Sequence, residues 1–145
     1  MLPVLFDTSI YITVLRSGTD AALSLRRLAE GSVVWLSAVV LEELYAGASD
    51  SARNVVEQLE FDFTKQRRLL IPDLRDWAQT GRVLFRLGAK YHYERIGKGR
   101  LTNDALIATS AGRAGVKVIT HNARDFARLA EFQPFLCRLI EAPGV

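Results

Sequence analysis

The sequence predicts an α/β fold: a single domain whose mostly parallel central sheet is flanked by helices on both faces. Three observations carry this. Leu2–Phe6 is a continuous apolar run, as expected of a strand buried on both faces, and Val33–Leu36 and Val116–Thr120 read as further short strands. Longer stretches between them carry the i, i+3, i+4 apolar spacing of amphipathic helices. The 145 residues suit one core, so the domain is taken as 1–145. Strands that alternate with helices in one domain favour a parallel, doubly wound sheet.

Each element has its own signal. Leu2 to Phe6 is the first strand, with Pro3 tolerable only near its start. Thr8 to Arg16 reads as a helix with Ile10, Tyr11, Val14 and Leu15 on one face. Ala21 to Glu30 is a second helix, with Leu25 and Leu28 inward and Gly31 at its end. Val33 to Leu36 forms the second strand, and Ser37 caps a helix through Ala46 that Gly47 stops. Ser51 to Phe63 is helical, with Val55, Val56, Leu59 and Phe63 inward. Leu69 to Ile71 is a third strand ended by Pro72. Asp73 caps a long helix through Lys90, interrupted in propensity by Gly81 and Gly88. Thr102 to Arg113 is a small-residue helix, Val116 to Thr120 a strand, Asn122 to Leu129 a short helix, and Phe135 to Ile140 a last strand. No repeat or linker divides the chain.

Composition narrows the class. Apolar residues make up 49% and charged residues 24%, ordinary for a folded soluble protein. Charges interrupt every window long enough to span a bilayer. The N-terminus lacks a secretory signal pattern, since Asp7 breaks its apolar run. Cys137 is alone and sits in an apolar stretch, which reads as a packed strand residue and not a nucleophile. A cytoplasmic protein is expected, with no membrane partner.

Four acids stand where strands end or helices begin: Asp7, Glu43, Asp104 and Asp125. The carboxyl ends of strands in an open α/β sheet share one crevice, so these separated residues can meet. Carboxylates crowded together repel and raise their own pKa values unless cations neutralise them. The pattern therefore points to a metal site. Each acid also has a plain structural reading: Asp7 as a helix cap, Glu43 and Asp104 as helix-dipole partners, Asp125 as a partner of Arg124 or Arg128. Glu42 competes with Glu43, because adjacent helical residues project in different directions. Ala105, Ala108 and Ala111 are small enough for backbone or ligand to approach.

The net charge is +3, but cations cluster. Arg82, Arg86 and Lys90 recur every four residues and form one helical stripe, which leads into Gly97-Lys98-Gly99-Arg100 just before Asp104. Taken alone, the stripe reads as a solvated face. A polyanion held by the loop would lie beside the acids. His121 reads as a phosphate contact or a bystander, and His92 between two tyrosines is uncommitted. A phosphate-binding glycine loop, a serine nucleophile elbow and zinc-type Cys/His spacing are all missing. An all-carboxylate site suits Mg²⁺ or Mn²⁺.

Four segments in series carry a resemblance: Phe6-Asp7-Thr8-Ser9; Ser37 to Gly47 with Glu42-Glu43-Leu44; Asn103-Asp104-Ala105-Leu106-Ile107-Ala108; and Thr120-His121-Asn122-Ala123-Arg124-Asp125-Phe126. The chain resembles the PIN-domain ribonucleases, specifically the VapC-type toxins of toxin–antitoxin pairs. The resemblance implies a PIN-like fold and a metal-dependent endoribonuclease that cuts structured RNA such as tRNA or rRNA. It implies Asp7, Glu43 and Asp104 as ligands of Mg²⁺ or Mn²⁺, with Asp125 completing the site and Asn122 able to share that role. Ser9, Thr120 and Asn122 would support the ligands, and Arg82, Arg86, Lys98 and Arg100 would hold the RNA backbone. It also implies a homodimer and a small VapB-type antitoxin. Two rival readings remain: a non-catalytic PIN-like module that binds RNA or protein, and a phosphohydrolase with Asp7 as nucleophile.

Overall fold

The protein is described from a computed structural model that covers residues 1–17, 20–92 and 100–143. In chain order the elements are β1 (Val4–Phe6), α1 (Thr8–Arg16), α2 (Ala21–Ala29), β2 (Val34–Ser37), α3 (Ala38–Gly47), α4 (Asp50–Lys65), β3 (Leu69–Leu70), α5 (Leu74–Tyr91), α6 (Arg100–Ala114), β4 (Lys117–Thr120), α7 (Ala123–Ala130) and β5 (Cys137–Leu139). All strand pairs are parallel, in the order β3-β2-β1-β4-β5. The chain steps outward one way from β1 to β2 and β3, then returns to lay β4 on the other side of β1. Right-handed crossovers then put α1 to α4 on one face and α5 to α7 on the other. The packing agrees: α1 contacts α2 and α3, α3 contacts α4, and α5, α6 and α7 pack on one another.

The point where the winding reverses lies between β1 and β4, and this is where doubly wound sheets open a crevice at their carboxyl ends. Asp7 directly follows β1, with its backbone N–H donating to Ile119 O at 3.0 Å, so the ladder runs up to the acid. The strands beneath are buried: Val4, Leu5, Phe6, Val118 and Ile119 are at most 4% exposed. Phe6 meets Tyr11 of α1 edge to face, ring centroids 5.9 Å apart, which fixes α1 against the strand that carries Asp7.

Most elements lie where their periodicity puts them, with informative differences. Pro3 falls outside β1, its carbonyl accepting from Lys117 N, since it has no N–H to give. Val55 is 43% exposed while Val56 is buried, so α4 presents a narrower apolar face than expected. Ile71 leaves the sheet ahead of Pro72 and is 63% exposed. Gly81 and Gly88 do not interrupt α5. A reciprocal capping box between Asp73 and Asp76 starts the helix. The buried Asp76 carboxylate then takes Arg113 Nε of α6 at 3.0 and 2.9 Å, and Thr80 bonds Thr109 at 2.9 Å.

Two corrections bear on the site. Helix α6 begins at Arg100, so Asp104 sits in its second turn and does not open it. Ala105, Ala108 and Ala111 are fully buried, so their small size serves packing of α6 into the core. Cys137 is exposed on the edge strand β5 and is not packed. Partial desolvation of its thiol, with the Asp7 charge, pushes its pKa up to about 11, so it remains protonated at neutral pH. Among the described residues no helix is long and apolar enough to cross a membrane.

Candidate active site

Asp7 is 4% exposed and uses both carboxylate oxygens. Oδ1 caps α1, accepting from Ser9 N at 2.9 Å and from the Ser9 hydroxyl. Oδ2 accepts from Thr120 Oγ1 of β4 at 2.5 Å. The capping role and the crevice position thus belong to the same residue. Thr120 Oγ1 in turn accepts from Asn122 N at 2.8 Å, which orients its own proton toward Asp7.

Asn122 extends the chain of contacts to two further acids. Its Nδ2 donates to Asp125 Oδ2 at 3.1 Å and to Asp104 Oδ2 at 3.4 Å. Its Oδ1 accepts from Asp125 N at 3.4 Å, which caps α7. The amide is a neutral donor placed between two carboxylates. Asp125 therefore faces Asn122, and no ion pair with Arg124 or Arg128 holds it among the described residues.

Glu43 enters from α3. Thr8, the residue after Asp7, donates its hydroxyl to Glu43 Oε1 at 2.8 Å. Burial raises the Glu43 pKa above its ordinary value, against hydrogen bonds from Thr8 and Asn103, and the Glu42 and Asp7 charges push it further up. Glu42 is exposed and accepts from Asn103 Nδ2 at 3.3 Å. Sequence reasoning passed over Thr8 and Asn103 as contributors, although each is adjacent to a candidate acid.

The raised pKa has a consequence for stability. The folded chain takes up a proton at Glu43 at a higher pH than the unfolded chain, so ionised Glu43 weighs against the fold above that pKa. Glu43→Gln is expected to melt higher than wild type at neutral pH without added metal. The gap should shrink as pH falls through the raised pKa and close below the unfolded value. A gap that widened on acidification would contradict the burial argument.

The basic residues divide. Arg82 and Arg86 are exposed on α5, flanking Phe85, which is 75% exposed. Lys90 does not continue their stripe: it pairs with Glu131, which also accepts from the Tyr91 hydroxyl, and Arg128 lies 4.6 Å over the Tyr91 ring. Lys98 lies outside the described residues, as does the side chain of Arg100. His121 is neither free nor idle. Its ring Nδ1 lies 2.7 Å from Ile140 O, and its backbone N–H donates to Ser9 Oγ at 3.1 Å.

Among the described residues no three His, Cys, Asp or Glu side chains already stand close enough to share one ion. Hydroxyl and amide donors occupy the carboxylates instead, and Asp7, Glu43 and Asp125 have no Lys or Arg partner among the described residues. An all-oxygen, anionic donor set of this kind fits a hard divalent cation.

A model of the PIN domain family matches residues 4–132. Among solved structures, the fold is similar to DNA-bound VapBC from Salmonella typhimurium, at 24% identity and TM-score 0.66, covering 95% of this chain and 98% of that one. It is similar to VapBC-1 from nontypeable Haemophilus influenzae, at 18% identity and TM-score 0.66, with the same coverage of 95% and 98%. FitAcB from Neisseria gonorrhoeae is similar at 26% identity and TM-score 0.62, covering 92% and 95%. No curated protein sequence matches. With the family match running from β1 past α7, through every segment that carries a candidate acid, the chain belongs to the PIN domain family.

Proposed function

We propose that this PIN domain is a VapC-type toxin, an endoribonuclease dependent on Mg²⁺ or Mn²⁺ that cuts structured RNA such as tRNA or rRNA. The observation that carries the reading is the hydrogen-bonded chain at the switch point. It links Asp7 through Thr120 and Asn122 to Asp104 and Asp125, with Glu43 anchored beside it by Thr8. Asp7, Glu43 and Asp104 would hold the metal, with Asp125 completing the set. A bound ion supplies hydroxide near neutral pH and stabilises charge on the phosphate. The protein's own part is to aim these carboxylates: Ser9 and Thr120 fix Asp7, Thr8 fixes Glu43, and Asn122 spaces Asp104 from Asp125.

Arg82 and Arg86, with Lys98 and Arg100, are proposed to hold the RNA backbone, which makes affinity salt-sensitive. A VapB-type antitoxin is the proposed partner, in keeping with the VapBC assemblies among the similar structures, one of them described as a member of the VapBC family of toxin-antitoxin systems. A homodimer is proposed, with the exposed apolar side chains Ile71, Leu74 and Trp77 as surface for it to cover. The protein is proposed to act in the cytoplasm.

Incubating the purified chain with total RNA tests the reading. Cleavage is expected with Mn²⁺ and none with chelator. Salt-sensitive RNA binding without cleavage in either condition would replace it with a non-catalytic RNA-binding module.

A further inference from the structure

The turn after β4 governs three of the four acids. Thr120 binds Asp7, the His121 backbone holds the Ser9 hydroxyl that also binds Asp7, and the Asn122 amide spans Asp104 and Asp125. What holds this turn in place is therefore a question about the whole site.

A parallel ladder advances two residues at a time on each strand, with evenly spaced bonds. Between β4 and β5, Val118 N donates to Leu136 O, and Ile140 N donates to Thr120 O, each at 2.9 Å. In this progression the next bond would run from Asn122 N to Ile140 O. It is not made. Asn122 N instead donates to Thr120 Oγ1 at 2.8 Å, and Ile140 O is met by the His121 ring at 2.7 Å. A carbonyl only accepts, so His121 Nδ1 carries the proton.

We propose that His121 is a positioning residue: its Nδ1–H takes the place of the next ladder bond, releasing Asn122 N–H to turn the Thr120 hydroxyl onto Asp7. Thr120 accepts from Asn122 and so has its single proton aimed at Asp7 Oδ2. The His121 ring touches none of the acids in this account. It satisfies the Ile140 carbonyl, just past β5, that the turn would otherwise abandon, and so keeps the backbone free to serve the site. As a role in catalysis this rests on the ribonuclease reading above; as a statement about the turn it does not.

Three variants separate the donor's position from its bulk. His121→Asn puts an amide N–H the same number of bonds from the backbone as Nδ1, His121→Gln moves it one bond further, and His121→Leu removes it. Mn²⁺ binding measured by calorimetry and RNA cleavage rates are both expected to weaken about 10- to 100-fold in the Leu and Gln variants. The Asn variant should stay within about threefold of wild type, since it keeps the donor that supports the site. Equal impairment of Asn and Leu variants, or wild-type behaviour in Leu, overturns the proposal. Ring ¹⁵N shifts of the wild-type protein, recorded where the ring is neutral, read the tautomer without reference to activity. The Nδ1–H form is expected, and the Nε2–H form overturns the proposal. A wild-type protein with the Nδ1–H ring that cleaves no RNA sinks the ribonuclease reading while the account of the turn stands.

Discussion

Asp7→Asn is expected to abolish Mn²⁺-supported RNA cleavage while the protein stays folded. The substitution is nearly isosteric, so the loss does not come from a cavity. It removes the charge of the most buried of the candidate acids. It also replaces one of the two oxygens that accept from Ser9 and Thr120 with an amide nitrogen that can only donate. Loss of residues that merely support a ligand costs about 10- to 100-fold, and loss of a ligand should exceed this. Initial rates across a Mn²⁺ titration should fall below the wild type by more than about 100-fold at every concentration. Melting without metal controls for folding. Removing one charge from a group of acids relieves repulsion, and asparagine caps a helix about as well as aspartate. Cleavage at the wild-type rate would remove Asp7 from the site and with it the metal-centre reading.

The second prediction is a pair of glycine substitutions with opposite signs. In α6, a Cβ at Gly112 would lie 2.4 Å from Pro134 O and 3.0 Å from Gln133 Nε2. A backbone oxygen cannot rotate away, so α6 must move from the segment that leads into β5. Gly112→Ala is expected to cost about 2–3 kcal/mol, at the upper end for overpacking. That lowers the melting temperature on the order of 10 °C. In α5, a Cβ at Gly81 meets nothing within 4 Å, and the position is an exposed helix interior. There Gly81→Ala should raise stability by about 0.5–1 kcal/mol, because alanine costs less backbone entropy to hold helical. Thermal melts of both variants check the pair. If Gly112→Ala proved as stable as Gly81→Ala, the close approach of α6 to the Gln133–Pro134 backbone would be refuted.

The two glycines also show where sequence reasoning reaches its end. Both carry the same helix-propensity cost, and nothing in the neighbouring residues distinguishes them. Only the packing reveals that one is required and the other is not. Helix α5 is a related case. Its first turn is held by the Asp73–Asp76 capping box and by Arg113, which lies 37 residues beyond Asp76. Capping residues are readable in sequence, whereas a partner on another helix is not. The start of α6 escaped for a different reason. Asn103 and Thr102 look like caps, yet the helix already runs from Arg100, so a favourable capping residue does not compel a cap.

From the sequence alone followed the α/β class, the order of strands and helices, and the positions of Asp7 just after the first strand and Asp125 in the first turn of a helix. These follow from local physics: unbroken apolar runs, helical periodicity and residue-level conformational preference act over a few residues and are written in order along the chain. Tertiary structure alone decided how the acids are held. Thr120 reaches Asp7 across 113 positions and Thr8 reaches Glu43 across 35. His121, which read as a phosphate contact or bystander, closes a ladder with Ile140. Such contacts form only after β4 is laid beside β1 and β5, because hydrogen bonds depend on proximity and angle, which residue order does not encode.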